Sequence, residues 1–483
     1  MTIISLLIGE QRRQASNQAT FERRNPLDGS VATVAPAATT DDAIAAVEAA
    51  QTAFSSWAAL GPNQRRDYLL KAANTLEAKE ASFIAAMAAE TGASALWAGF
   101  NVHLAAGMLR EAASLTTHIG GDIIPSDVPG SLATAVRQPA GVVLGMAPWN
   151  APVILGVRAI ATPLACGNTV ILKGAELCPA THGLIIESCR EAGFPPGVVN
   201  FLTNRADQAS EIVETLIAQP AVRRVNFTGS TRVGKIIAAS CARHLKPCVL
   251  ELGGKAPLLV LEDADLDAAV NSAAFGAFAN SGQICMSTER IIVDESIADE
   301  FVRKLTDKAR SLPLGDPRKG PAVLGSVIDM STVERCNQLI DDALAKGAKL
   351  LCGGKADSTL MPATLLDHVT PDMKIYHEES FAPVKGIIRV PDTEAAIACA
   401  NDNAYGLSSA VFSRDLGKAW QVAQRIESGI CHINGPTVHD EAQMPFGGTK
   451  DSGFGRFGGR AGIDAFTELR WITLQTSPRQ LPF

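Results

Sequence analysis

No apolar run in the 483-residue chain reaches about 18 residues, so the sequence offers no membrane-spanning helix. It also lacks a long Lys/Arg run, and its formal net charge is -7. Both argue against nucleic acid and anionic membrane as main partners. None of the ten cysteines (166, 178, 189, 241, 248, 285, 336, 352, 399 and 431) belongs to a C-x-x-C pair. In a chain this long, that pattern reads as reduced cytoplasmic thiols, with neither a disulfide framework nor a metal site. The apolar patch at 3–8 has no basic residues before it and no small-residue cleavage site after it, so no signal peptide is read. Aromatics are only 5%, whereas Ala and Gly are abundant, which suits close packing of helices on sheets.

What is present is organised. The length implies two or three domains. Helical periodicity covers 41–60, 63–91 and 96–117. Residues 122–139 contain three prolines and two β-prone runs, and read as an extended excursion. From 141 onward, strands (141–146, 168–173, 198–202, 222–227, 247–252) alternate with helices (152–166, 179–192, 208–219, 231–243). That alternation predicts βαβ units, a parallel sheet and a ligand beyond the carboxyl ends of its strands. A second α/β series has strands at 257–261, 289–294, 384–390, 408–412 and 429–434. The β run at 466–474 has no local partner.

Five segments bear chemistry. Asn226-Phe-Thr-Gly-Ser-Thr231 ends a strand and opens a helix, where free N–H groups and Ser230 suit a phosphate; an ordinary helix cap fits equally. Gly453-Phe-Gly-Arg-Phe-Gly458 matches a dinucleotide fingerprint literally, but no βαβ unit surrounds it, so it is assigned to a loop. Glu251 ends an apolar strand and precedes Gly253 and Gly254. A carboxylate there is either a partnered structural acid or a general base in a dry cleft. Cys285 follows a glycine turn between helix and strand, as either a buried loop cysteine or an activated thiol. Asn150 precedes Pro152 at a helix mouth, as a cap or an oxyanion donor.

Taken together, these segments resemble the aldehyde dehydrogenase superfamily. The resemblance rests on Pro148-Trp-Asn150, Lys173-Gly-Ala-Glu176, Phe227-Thr-Gly-Ser230, Glu251-Leu-Gly-Gly254, Gly282-Gln-Ile-Cys285, Glu379-Ser-Phe381, Met444-Pro-Phe-Gly-Gly448 and Ser452-Gly-Phe-Gly455, in that order. It implies an α/β fold with a Rossmann-like cofactor domain (1–120 and 141–252), an α/β catalytic domain (253–460) and a β oligomerisation arm (121–140 and 463–483). It further implies a homodimer or tetramer. By the same resemblance, Cys285 is the nucleophile, Glu251 the base, and Asn150 an oxyanion donor. The cofactor is expected to be NAD, held by Trp149, Lys173, Glu176, Gly229, Ser230, Leu252, Glu379 and Phe381. Trp149 is expected near the adenine or the pyrophosphate turn. Gly174 and Ala382 depart from residues common in the family.

The segments at 282–290 and 433–441 resemble the aromatic-aldehyde branch, which implies salicylaldehyde as substrate, with benzaldehyde and vanillin as alternatives. Trp97, Val153, Val157, Ile284 and Met286 are expected to line the substrate pocket, with Phe100 at its mouth and His439 beside the entrance. Arg158 reads equally as a salt-bridged structural residue or a contact to an ortho-phenolate. A thiol hydrolase using Cys285 with His432 or His439 and Asn434 is the rival enzyme class, and a non-catalytic protein of the same fold is the other rival.

Overall fold

The computed structural model describes residues 1–483. The alternation read from the sequence produces two large sheets. In the first, Cys248–Glu251, Val222–Thr228, Val142–Met146, Thr169–Lys173 and Val199–Leu202 lie side by side and parallel. Their near-continuous apolar character is what a sheet covered on both faces requires. Leu6–Ile8 and Gln11–Arg13 extend one edge antiparallel. In the second sheet, the order is Lys349–Cys352, Thr364–Asp367, Val384–Val390, Thr288–Asp294, Ala256–Val260, Ser408–Phe412 and Ile430–Ile433. Only its first strand runs antiparallel.

The fingerprint decoy is mostly loop, but Gly453–Phe454 adds an antiparallel strand beside Cys248–Glu251. Gly453 has φ +101°, and a Cβ there would lie 2.0 Å from the Leu250 carbonyl oxygen. Only glycine permits that approach.

One expectation changes. The helix expected over 63–91 is two helices, Pro62–Ala78 and Glu80–Thr91, interrupted at Lys79 (φ -101°, ψ 14°). Neither Gly nor Pro marks the break, so apolar periodicity runs through it unchanged. The terminal β run does have a partner within the chain. Thr467–Gln475 pairs antiparallel with Ser131–Pro139 over nine residues, and Asp122–Ile124 completes a three-stranded arm. The two partners are some 330 residues apart in the chain, so no local signal connects them.

Candidate active site

Cys285, Glu251 and Asn150 are brought together by three separate segments. Cys285 lies between a short 3-10 turn, Ala279–Gly282, and the strand Thr288–Asp294. Within that turn Asn280, Ser281 and Gly282 have successive positive φ values of 49°, 55° and 72°. Left-handed non-glycine residues cost of order 1–3 kcal/mol each, and such strain collects at functional sites. A Cβ on Gly282 would meet the Ala382 carbonyl oxygen at 2.3 Å, and one on Gly254 would meet the Cys285 carbonyl oxygen at 2.3 Å. Gly254 therefore lets the thiol loop press against the end of the Glu251 strand, and Gly282 lets it close on the segment after Glu379.

Glu251 is 1% exposed, and neither carboxyl oxygen has a hydrogen-bond partner. Burial pushes the carboxyl up to about 7, opposed by the nearby Cys285 thiol, Arg158 and Thr228 and reinforced by Asp440. The thiol favours the carboxylate without making a hydrogen bond of good geometry to it. Burial and the Glu251 charge also push the Cys285 thiol well above its ordinary value. The resting pair is therefore a protonated thiol beside an uncompensated base.

Asn150 is on the turn before the helix Pro152–Ala165. Its Nδ2 donates to the Gln283 carbonyl at 3.0 Å. Its own carbonyl accepts from Trp97 Nε1 at 2.9 Å and Asn280 Nδ2 at 3.0 Å. One amide N–H thus fixes the side chain, and the other is free to donate.

Cys285 opens onto a cavity of about 790 Å³, mainly apolar in its lining. Trp97, Phe100, Ile284, Met286, Arg158 and His439 line it. Val153 and Val157 do not: both are 0% exposed within the main core. Ala151, Ile154, Leu155 and Arg158 face the cavity instead. The reason is one of register. Asn150 precedes the helix and Ala151 is non-helical (φ -134°, ψ 62°), so a helical count begun at Asn150 selects the wrong face. Phe275, Phe278, Val438 and Phe446 complete the wall. The Phe275/Phe278 spacing on the helix entering the thiol turn is a sequence signal that was available for them.

Arg158 is salt-bridged, the first of its two readings. It donates to Asp440 Oδ2; Arg158 is buried, and the Asp440 side chain is 8% exposed. The hydrolase arrangement is absent. His432 and His439 pack edge-on at 5.1 Å, and His439 pairs with Glu441 at 3.0 Å. Asn434 is engaged in both directions with the Ser413 backbone. No histidine hydrogen-bonds to Cys285.

Beyond the carboxyl ends of the first sheet's strands lie Lys173, Glu176, Gly229, Ser230 and Leu252. Buried Lys173 has its Nζ 3.8 Å from Glu176 Oε2. Ser230 caps the helix Thr231–Arg243, accepting from Val233 N–H at 3.4 Å, and remains exposed at its N-terminus. Glu379 accepts from Gly254 N–H at 2.9 Å, and burial pushes its carboxyl up to about 7. Phe381 (φ 44°) meets Trp149 edge-on at 5.8 Å. That contact sets Trp149 beside Phe381, on the Glu379 side of the crevice. A cation, two carboxylates and an open helix N-terminus at strand ends fit a dinucleotide.

Sequence reading overlooked one charged cluster. Glu289 accepts from Lys255 at 2.8 Å, from Ser380 N–H at 2.8 Å and Oγ–H at 2.6 Å, and from Lys385, all deep in the protein. The two ammonium groups hold Glu289 at about 2 against the opposing effect of burial. The cluster ties together the segments carrying Glu251, Cys285 and Glu379.

The profile of the aldehyde dehydrogenase family matches residues 13–472. The chain belongs to the aldehyde dehydrogenase family. This aldehyde dehydrogenase is 61% identical over 482 residues to vanillin dehydrogenase of Pseudomonas fluorescens, covering 100% of both chains. It is 53% identical over 479 residues to salicylaldehyde dehydrogenase of Pseudomonas putida, covering 99% of each. Its fold superposes on the crystal structure of a salicylaldehyde dehydrogenase from Pseudomonas putida G7 complexed with salicylaldehyde, with TM-score 0.98, 52% identity and 100% of both chains covered. The enzyme is an oxidoreductase acting on aldehydes. No helix is long and apolar enough to cross a membrane.

Proposed function

We propose that this enzyme oxidises an aromatic aldehyde to the carboxylate through a thioester on Cys285. The observation that carries the mechanism is Glu251, a buried carboxyl with no hydrogen-bond partner, poised near pH 7 beside the thiol. Glu251 takes the thiol proton, directly or through a water. The thiolate attacks the aldehyde carbon, and the oxyanion accepts from the free Asn150 N–H and the Cys285 backbone N–H. Losing one such donor costs about 10²–10³ in rate. NAD, when bound, accepts the hydride that leaves the aldehyde carbon. Glu251 releases the thiol proton to solvent and then, as a carboxylate again, deprotonates the water that cleaves the thioester.

The apolar cavity, walled by Trp97, Phe100, Phe275, Phe278 and Phe446, supports an aromatic ring as substrate. Vanillin and salicylaldehyde are the two leading candidates, because relatives 61% and 53% identical bear those names; benzaldehyde follows. Measuring NADH formation with these three, acetaldehyde and hexanal tests the reading. Preference for hexanal keeps the mechanism and removes the aromatic assignment.

Glu176 supports NAD over NADP, since its carboxylate accepts from ribose hydroxyls and repels a 2′-phosphate. Glu176→Gln is expected to narrow the NAD/NADP ratio of kcat/KM; an unchanged ratio contradicts this role. We further propose the division into a cofactor unit (1–120 and 141–252), a catalytic unit (253–460) and an arm (121–140 and 463–483), with the arm joining subunits into a dimer or tetramer.

A further inference from the structure

Arg158 and Asp440 form an ion pair in the wall of the substrate cavity, and neither has a step in the reaction. Arg158 comes from the helix Pro152–Ala165 and is 6% exposed; Asp440 comes from the segment after Ile430–Ile433 and its side chain is 8% exposed. Both line the cavity that Cys285 lines. The hydrogen bond to Asp440 Oδ2 is the only one the Arg158 side chain makes. Its guanidinium lies over Phe446, 4.1 Å from the ring centroid. Asp440 Oδ1 is buried without a partner.

A lone arginine here would make the cavity an anion receptor, because its planar fork matches a carboxylate. Asp440 cancels that charge. A carboxylate brought to Arg158 would also approach the unpartnered Oδ1, a like charge in a place of low dielectric. Stability alone does not account for the pair, since well-packed apolar residues replace buried ion pairs at no loss in many proteins. Lys308 is the other cation of the cavity wall, and it is exposed.

We infer that Asp440 determines specificity by neutralising Arg158, so that the cavity accepts aromatic aldehydes without a ring carboxylate and disfavours those carrying one. The inference rests on the aromatic-aldehyde reading above and narrows its substrate class. It also replaces the idea that Arg158 binds an ortho-phenolate.

The test compares kcat/KM for benzaldehyde with that for the three formylbenzoate isomers. In the wild type, every formylbenzoate is expected to fall below benzaldehyde by about tenfold or more. In Asp440→Asn, at least one isomer is expected to gain about tenfold relative to benzaldehyde. The double variant Arg158→Leu/Asp440→Asn is expected to lose that gain, which separates Arg158 from Lys308. A formylbenzoate matching benzaldehyde in the wild type overturns the inference, as does an unchanged ratio in folded Asp440→Asn. If the single variant does not fold, the wild-type ranking decides. A wild type that oxidises hexanal and no aromatic aldehyde overturns the aromatic reading itself, and the inference with it.

Discussion

Glu251 and Cys285 are each pushed away from the charged form by burial, yet the attack needs the thiolate and the hydrolysis needs the carboxylate. A carboxyl near 7 resolves this, since it accepts a proton as readily as it gives one up. Turnover should rise with pH through about 7 as Glu251 ionises, and Glu251→Gln should lower it about 10²–10⁴-fold. A pH-independent rate across that range contradicts Glu251 as base. The same shift has a stability consequence of definite sign. The folded value lies above the ordinary 4.5, so the fold favours the protonated form. The stability so gained is present at low pH and lost as pH rises through about 7. Glu251→Gln should therefore be more stable than wild type above pH 8, by up to about 3 kcal/mol, and similar near pH 4. Denaturant titrations at the two pH values decide it. Glu289 has the opposite sign: held at about 2, it stabilises the fold above 4.5 and less as pH falls through that range. Glu289→Gln should cost about 3–5 kcal/mol at neutral pH, because it leaves two buried lysines unpaired. A loss under about 1 kcal/mol would show that the lysines find other partners.

At the scale of elements, the helix Pro152–Ala165 shows both what the sequence made legible and what it concealed. Its limits followed from Pro152 and the apolar run, and Asn150 at its mouth stood out as a donor. Its cavity face did not, because the periodic count began at Asn150, two residues before the helix. Arg158 stayed ambiguous for a related reason: its partner Asp440 is 282 positions away, and no local pattern joins them. The corrected face makes a paired prediction. Ile154→Ala should raise KM for aromatic aldehydes, because it widens the cavity beside Cys285. Val157→Ala should leave KM near wild type and cost about 2 kcal/mol of stability, because it opens a void in the core. The reverse result would return the substrate wall to Val157. The nucleophile turn was legible as a glycine-containing loop, but its run of left-handed residues was not, since Asn280 and Ser281 carry no such requirement in their identity.

At the scale of the whole molecule, the alternation of apolar strands with helices revealed the two α/β halves, and the motifs at 148–150, 173–176, 227–230 and 251–254 each end or follow a strand of the first. The arm was legible only as two unpaired β runs. Paired with each other, they still leave Trp471, Leu469, Leu474 and Ile123 exposed. An apolar sheet surface of this kind seeks a cover, and a second copy of the chain suits an open edge. Sedimentation should show a dimer or tetramer, and Trp471→Glu should shift it toward the monomer; a wild-type monomer at micromolar concentration contradicts the assembly. The central claim is that Cys285 and Glu251 oxidise an aromatic aldehyde together in one cavity. Its most direct measurement is the absorbance of NADH formed from NAD with vanillin, salicylaldehyde and hexanal, using wild type and Cys285→Ser. The account predicts NADH formation that favours the aromatic aldehydes and is nearly abolished in the variant. NADH formation of equal rate in Cys285→Ser, or none from any aldehyde with folded wild type, would contradict it.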